Sequence, residues 1–370
     1  MSPAIYLDYQ ATTPLAPEVF AIMEPWLKEQ YWNPHSMHSG GRRANAAIEV
    51  ARDRVAALLP AGGRVIFTSG ATEAINLAIK GCGLPVSAFA TEHAAVLDCV
   101  EALGGGSCAA TDGGASRVKE LASLAAPPSR LRRDTSPSLQ DGEDRLLCAM
   151  LVNNEIGTIN PVGNIAQAHQ GLLLCDAVQA YGRIPIPDGP DMIAISAHKI
   201  HGPKGIGALW VRDGIELAPL IHGGGQEQGL RSGTLSPALC AGFGKAAELA
   251  AERMEDDAAH VETLWNRAIE LYANWTINGC TEHRYKGNLN IRRDGLNVAR
   301  LMSDCREILF SAGSACASGS GRPSHVLRAI GLSDAQAKSS IRLGWGRYTR
   351  LEEIERAAEL LNAAAERQLG

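Results

Sequence analysis

A single lysine, Lys199, stands where an apolar segment gives way to a glycine-rich turn. The segment Asp191–Ser196 has the length and branching of a buried strand, and Gly205–Val211 beyond the turn is typical of another. An amine at a strand end can be partly removed from water, which lowers its pKa and frees the neutral form to make a Schiff base with a carbonyl compound. Taken alone, the stretch favours the commoner alternative, an ordinary solvated loop lysine.

Cys316 is the cysteine whose surroundings are typical of a reactive thiol. It lies in Ser311–Pro323, a run of small residues that is too flexible to form core, so that a cysteine there is not easily buried. Cys99, Cys148 and Cys175 instead lie in apolar runs, where a structural role is expected. Because accessible thiols do chemistry and buried ones stay inert, the sequence favours Cys316 as a nucleophile.

Polar side chains follow each of the strands that the apolar runs predict. They are Thr72, His93, Asn154, Asp176 with Gln179, and then Ser196, His198 and Lys199. Each has an ordinary explanation by itself, for example a helix cap for Thr72 or a satisfied structural histidine for His93. The carboxyl ends of parallel strands meet at one edge of an open sheet, however, and ligands bind there. The set as a whole therefore predicts one binding crevice.

The turn Ser69–Thr72 leads from a predicted strand into a predicted helix, Glu73–Lys80. The first turn of a helix has unpaired N–H groups, which suit a phosphate. The turn lacks the lysine and spacing of a P-loop and lacks a G-x-G-x-x-G pattern, so a nucleotide is not the expected ligand. The alternative is a tight turn with a threonine cap.

The composition is that of an ordinary globular protein. The chain has 370 residues, 45% of them hydrophobic, and a net charge of -5, which gives no basic field for nucleic acid or a membrane surface. Its nine cysteines form no C-x-x-C pair, which argues against a disulfide framework or a structural zinc site. The N-terminus has no leader pattern and no segment is apolar enough to span a membrane, so we expect a cytoplasmic protein.

Two domains are expected from the pattern of elements. Apolar residues at helical spacing run from Pro237 to about Ala273, long enough to bridge two domains, with the boundary near residue 250. We therefore expect a large α/β domain at 14–250 and a smaller α+β domain formed by 1–13 and 251–370. Residues 104–145 are broken by glycine and proline and are expected to form a variable surface segment.

Ten motifs, taken together, resemble the cysteine desulfurases, pyridoxal phosphate (PLP) enzymes of the class V aminotransferase group. The resemblance runs nearly end to end, and the ordered set is far more specific than any one motif. The motifs are Leu7-Asp-Tyr-Gln-Ala-Thr-Thr-Pro, Thr68-Ser-Gly-Ala-Thr-Glu, Thr91-Glu-His, Val152-Asn-Asn-Glu-Ile-Gly, Asp176-Ala-Val-Gln, Ser196-Ala-His-Lys, His222-Gly-Gly-Gly, Arg231-Ser-Gly-Thr, Gly313-Ser-Ala-Cys and Ser340-Ile-Arg. The resemblance implies PLP fold type I, with a mainly parallel central sheet sandwiched by helices in a large domain.

The resemblance also implies roles for the residues that match these motifs. Lys199 would hold PLP and move protons, Asp176 would pair with the pyridine nitrogen, and Gln179 would bond the ring phenolate oxygen. His93 would stack on the ring and assist proton transfer. The phosphate would be held by Ala71, Thr72, Ser196 and His198, and by Thr234 reaching from the partner subunit of a homodimer.

The implied reaction converts L-cysteine to L-alanine. Arg342 and Asn154 would take the substrate carboxylate, with Asn154 also among the cofactor-binding residues, and Cys316 would accept the sulfur as a persulfide. The sulfur would pass to an acceptor protein, an iron-sulfur scaffold or a sulfur carrier, for iron-sulfur cluster or thio-cofactor biosynthesis. The alternatives are a selenocysteine lyase or another PLP-dependent β-eliminating enzyme and, in another class, a non-catalytic sulfur-carrier or interaction protein.

Overall fold

The structure is a computed structural model that describes residues 4–103, 145–313 and 323–370. The segment expected to be variable, 104–145, lies outside the described residues except for Arg145. Cys316 also lies outside them.

The helices of the described residues alternate with strands in the first two thirds of the chain, as expected of an α/β domain. Proline occupies the first position of the helix Pro17–Lys28 and of the long helix Pro237–Leu271, because an N–H at that position would have no helical partner. The helices are α1 Pro17–Lys28, α2 Ser39–Ala56, α3 Ala71–Gly81, α4 Ala94–Ala102, α5 Val162–Ala168, α6 Pro237–Leu271, α7 Val298–Asp304, α8 His325–Ala329, α9 Asp334–Lys338 and α10 Leu351–Leu369.

The central sheet has six strands in the order β2-β7-β6-β5-β4-β3. Three of its neighbouring pairs are parallel, and β7 is antiparallel to both of its neighbours, which confirms the expected mainly parallel sheet. The strands are β2 Gly63–Thr68, β3 Val86–Ala88, β4 Leu146–Met150, β5 Leu172–Asp176, β6 Met192–Ser196 and β7 Gly207–Arg212. The short connection between β6 and β7 explains the reversal, since a parallel crossover needs a dozen or more residues.

The strands before the predicted site residues all point the same way. β2 and β6 are both antiparallel to β7, so they run parallel to each other and to β3, β4 and β5. Their carboxyl ends therefore meet at one edge of the sheet, where open α/β folds bind their ligands.

A second sheet belongs to the C-terminal part of the chain. It has four antiparallel strands in the order β11-β12-β9-β8, and a parallel pair, β1 with β10, lies apart from it. These strands are β1 Ile5–Tyr6, β8 Thr276–Ile277, β9 Asn288–Arg292, β10 Ile308–Leu309, β11 Ser311–Ala312 and β12 Ser340–Gly344. The first strand of the chain thus pairs with a strand near its end.

Helix α6 carries buried residues in two hydrophobic cores. Phe243 packs in the core of the six-stranded sheet, and Leu264 packs with Leu7 and Leu343 in the core of the smaller sheet. Such a helix fits the predicted bridge between two domains, and the boundary at residue 250 stays a prediction. No helix in the described parts of the chain is long and apolar enough to span a membrane.

Candidate active site

A cavity of about 710 Å³ opens at the carboxyl edge of the central sheet. The structure brings most of the predicted site residues together on its walls. They are Ala71, Thr72, His93, Asn154, Asp176, Gln179, Ser196, His198, Lys199 and Arg342. Thr234 is exposed and does not line this cavity, and Cys316 lies outside the described residues.

One wall of the cavity is the turn between β2 and α3. Gly70 is the N-cap of α3, and no side chain caps the helix, so the threonine cap considered above is wrong. Gly207, the first residue of β7, lets that strand lie close to the turn, because a Cβ there would lie 2.7 Å from the carbonyl carbon of Gly70. Glu73 accepts a hydrogen bond from the Ser69 N–H at 2.7 Å and pairs with Arg231 at 2.8 Å, which fixes the turn. The exposed helix N-terminus suits an anion.

Another part of the cavity wall is formed by the end of β6 and the turn after it. Ser196 is buried there, and Nδ1 of His198 lies 3.2 Å from the Thr12 hydroxyl. Burial, with the positive charges of Lys199 and Lys204, lowers the pKa of His198 to about 4, so its ring is neutral at physiological pH. Lys204 also lines the cavity and adds positive charge there. Lys204 was not predicted from the sequence, because nothing marks it off from the other loop lysines.

Lys199 is partly buried, so the ordinary solvated lysine considered above is wrong. Its Nζ donates hydrogen bonds to the carbonyl oxygens of Gln10 at 2.8 Å and Ala11 at 2.7 Å. Burial first, and then the charges of Arg183 and Arg342, lower the pKa of Lys199 to about 7. A large fraction of this amine is therefore neutral and nucleophilic near pH 7.

Asp176 ends β5 and is buried at the base of the cavity. One of its carboxylate oxygens accepts a hydrogen bond from the Val178 N–H at 2.9 Å. Burial raises the pKa of Asp176, and the positive charge of His93 and Lys199 opposes that rise. A cationic group bound against Asp176 would hold the carboxyl ionised, because an opposite charge favours the charged form.

His93 has a structural role and also faces the cavity. Its Nδ1 accepts a hydrogen bond from the Ala95 N–H at 3.1 Å and caps α4, so a neutral ring carries its proton on Nε2. Burial lowers the pKa of His93, which favours that neutral ring. His93 thus combines the two roles predicted for it, since it caps a helix and also lines the cavity.

Arg342 is almost fully buried, with 1% of its surface exposed. Its guanidinium donates to the Asn154 carbonyl at 3.0 Å and pairs with Asp8 at 2.8 Å. The Arg342 Nε and the Asn154 Oδ1 are buried and have no hydrogen-bond partner among the described residues. Sequence analysis missed Asp8 as the residue that orients Arg342, because 334 residues separate the two.

The segment that begins at Pro323 also lines the cavity, through Pro323 and His325. The Ser324 hydroxyl donates to the buried Glu155 carboxylate. It also caps α8 by accepting a hydrogen bond from the Leu327 N–H at 3.1 Å. Nε2 of His325 lies 2.9 Å from the carbonyl oxygen of Glu92. Ser324 and His325 are therefore held beside the segments that carry Asn154 and His93.

Comparisons with known proteins agree with this geometry. The profile of the family Aminotransferase class-V matches residues 5–357. The cysteine desulfurase IscS of Rickettsia akari (strain Hartford) is 40% identical over 382 aligned positions, which cover 96% of this chain and 90% of that protein.

Solved structures are similar in fold as well as in sequence. A NifS-like protein from Rickettsia africae ESF-5 superposes with a TM-score of 0.83 at 27% identity, covering 98% of this chain and 99% of that one. A structure of SspA in complex with cysteine has a TM-score of 0.73 at 32% identity, covering 93% and 99% of the two chains.

Proposed function

The chain belongs to the class V aminotransferase family and is a cysteine desulfurase, and we propose that the cavity described above binds PLP and L-cysteine. One observation carries the proposal: a partly buried lysine with a lowered pKa shares the cavity with a buried carboxylate and an uncapped helix N-terminus. An amine, a carboxylate and an anion cradle are the three groups that an aldehyde-bearing pyridine phosphate needs.

The donor set fits this cofactor at each end. The N-terminus of α3 and Ser196 both line the cavity and would hold the phosphate, together with His198 and Lys204. Asp176 would pair with the pyridine nitrogen and keep it protonated, and the charge of that nitrogen would oppose the rise that burial causes in the pKa of Asp176. Gln179 would donate to the phenolate oxygen, and His93 would lie against the ring.

PLP supplies an electron sink for negative charge that develops at the substrate Cα. Lys199, neutral near pH 7, would take the proton from Cα, return a proton to Cβ after the sulfur has left, and finally return a proton to Cα. Arg342 and Asn154 would bind the substrate carboxylate, since the buried Nε of Arg342 has no acceptor among the described residues. Asp8 would keep the guanidinium in place through their ion pair at 2.8 Å.

Cys316 would receive the sulfur. Its thiolate would form a bond to the substrate sulfur while the bond between that sulfur and Cβ breaks. The electron pair of the broken bond would stay with Cβ, which takes a proton to give L-alanine, and the enzyme would keep a persulfide on Cys316. An acceptor protein, an iron-sulfur scaffold or a sulfur carrier in the cytoplasm, would then take the sulfur.

The products distinguish this reaction from its alternatives. We expect the purified protein, given L-cysteine and a thiol reductant, to form alanine and sulfide in equal amounts. Pyruvate and ammonia in place of alanine would contradict desulfuration and favour β-elimination. A far higher kcat/KM for L-selenocysteine would favour a lyase, and no turnover together with no visible absorbance would favour a non-catalytic carrier.

A homodimer with shared sites is the expected assembly. The glycine-rich loop His222–Thr234 ends at Thr234, which is exposed and does not line the cavity of its own subunit. Arg231 in the same loop pairs with Glu73, which fixes the loop to the turn Ser69–Thr72. We propose that Thr234 donates to the phosphate bound in the partner subunit.

Thr234→Ala should weaken PLP retention by roughly tenfold, because a hydrogen bond to a charged group is lost. The dissociation constant follows from the visible absorbance as PLP is added to apoprotein. Thr263→Ala is the matched control, since Thr263 is exposed on α6 and donates only to the Ala259 carbonyl of its own helix at 3.0 Å. A monomer in sizing measurements that retains PLP equally well with and without Thr234 would rule the shared site out.

A further inference from the structure

Arg183 lies behind the cavity, between two residues of the site. One guanidinium nitrogen donates to the side-chain oxygen of Gln179 at 2.7 Å, and the other donates to the main-chain oxygen of Lys199 at 2.6 Å. The guanidinium carbon also lies 5.3 Å from the centre of the Tyr285 ring. One side chain therefore contacts both the amide expected to face the cofactor and the turn that carries the amine.

These contacts fix which way the Gln179 amide points. A guanidinium has only donors, so the atom 2.7 Å away must be the amide oxygen. The Gln179 Nε2 then donates to the Gln10 carbonyl at 2.9 Å, the same oxygen that accepts from Lys199. The amide has a second N–H, which has no acceptor among the described residues, and Gln179 lines the cavity.

We propose that Arg183 is a positioning residue: it holds the Gln179 amide so that an N–H faces the cavity, and it holds the Lys199 turn beneath it. Without Arg183 the amide is free to turn its oxygen toward the cavity, where it would repel an anionic oxygen. The proposal deepens the proposed function and rests on it, because the anionic oxygen is the phenolate of PLP.

Arg183 also acts through its charge. Within the described part of the chain its guanidinium pairs with no carboxylate, so its positive charge acts on its surroundings with little compensation. After burial, Arg183 is the largest cause that lowers the pKa of Lys199. Geometry and charge thus converge on the same two residues of the site.

The first test uses apoprotein, so that its readout does not depend on cofactor or turnover. An amine-specific acylating reagent is applied over a range of pH, and mass spectrometry follows the peptide that bears Lys199. The midpoint of wild-type labelling should lie near the Lys199 pKa of about 7. Arg183→Gln removes the charge and should slow labelling at pH 7 roughly fivefold, because the midpoint moves upward.

Arg183→Lys separates charge from loosened packing. It keeps a positive charge at the same place, so its labelling midpoint should stay near that of the wild type. Equal upward movement in both Arg183 variants would instead mean that water has entered the site, and would overturn the role of the charge. Arg212→Gln is the matched control, because Arg212 also lies 5.3 Å from a ring, that of Trp210, and donates to a carbonyl at 2.7 Å, yet that carbonyl belongs to Pro190 and not to a residue of the site.

The second test asks whether Arg183 acts through Gln179. Arginine contacts the Gln179 amide and the Lys199 carbonyl with two nitrogens of one planar guanidinium, and the single ammonium group of lysine cannot do the same. Arg183→Lys should therefore weaken PLP binding to apoprotein about tenfold. In a Gln179→Ala background the same substitution should have little further effect, since the amide to be oriented is gone. Equal weakening in both backgrounds would overturn the inference.

The outcomes also separate this inference from the proposed function. If wild-type protein binds no PLP, the proposed function fails whatever the variants do. If the wild type binds PLP, but neither the labelling midpoint nor the binding cycle responds to Arg183, then only the positioning role fails.

Discussion

Lys199→Ala should lower kcat by about 10³-fold or more, since a general acid or base contributes roughly 10²- to 10⁴-fold. The variant loses the amine that moves the proton at the substrate Cα, while the walls that would hold the phosphate stay intact. We therefore expect PLP to bind without a covalent link. Turnover measured by alanine release, and borohydride treatment followed by mass spectrometry, would show the two effects separately.

The control for this prediction is a lysine that takes no part in the site. Lys286 pairs with Glu262 on the surface, and Lys286→Ala should change neither turnover nor cofactor fixation. If borohydride still fixes the cofactor to Lys199→Ala, another amine holds it, and the assignment of Lys199 is wrong.

Cys316→Ser should abolish turnover, with a loss on the order of 10³-fold or more, because removal of a nucleophile removes the step that it performs. The variant should still bind PLP and L-cysteine, since Cys316 is not among the groups proposed to hold either one. Alanine and sulfide release would be measured beside the absorbance change on adding L-cysteine. In the wild type, the peptide bearing Cys316 should gain one sulfur after substrate is added.

Cys280→Ser is the control, because Cys280 is partly accessible and does not line the cavity. It should leave turnover unchanged. Cys316 should also react first with an alkylating reagent, since burial raises the pKa values of Cys148, Cys175 and Cys240 and so disfavours their thiolates. Added sulfur found only on another cysteine would overturn the role of Cys316.

The location of the cavity could be predicted because buried strands leave a clear trace in sequence. The apolar runs at 146–150 and 172–176 match strands β4 and β5, and the polar residues after them, Asn154 and Asp176, line the cavity. Strands with both faces covered are apolar throughout, and their direction follows from the connecting helices. Side chains at strand ends were therefore predictable.

Contacts made by main-chain atoms were not predictable in the same way. Every residue has a carbonyl oxygen, so nothing in the sequence marks those of Gln10 and Ala11 as the acceptors for Lys199. Arg183 was missed for a related reason, because its role depends on two partners brought to it by the fold.

Short elements were also missed or misjudged. The helices Val162–Ala168, His325–Ala329 and Asp334–Lys338 make no more than two turns, too few to show a helical period. The stretch Ile5–Tyr9 has the pattern of a short strand, but the strand spans only Ile5–Tyr6, and the chain turns soon after it, where the Ala11 N–H donates to the Asp8 carbonyl at 2.9 Å.

The position of the first strand limits when the enzyme can become competent during its synthesis. Ile5 pairs with Ile308, and Asp8 binds Arg342, which follows it by 334 residues. At roughly 5 to 20 residues per second, the ribosome needs between about 17 and 67 s to make the partners of this segment. Until then Gln10 and Ala11 are not anchored over Lys199, although the strand that leads to that lysine is already made. The nascent chain therefore carries Lys199, the turn Ser69–Thr72 and Asp176 well before the lysine has its final neighbours, and productive cofactor capture is expected only after the segment that bears Arg342 has been made.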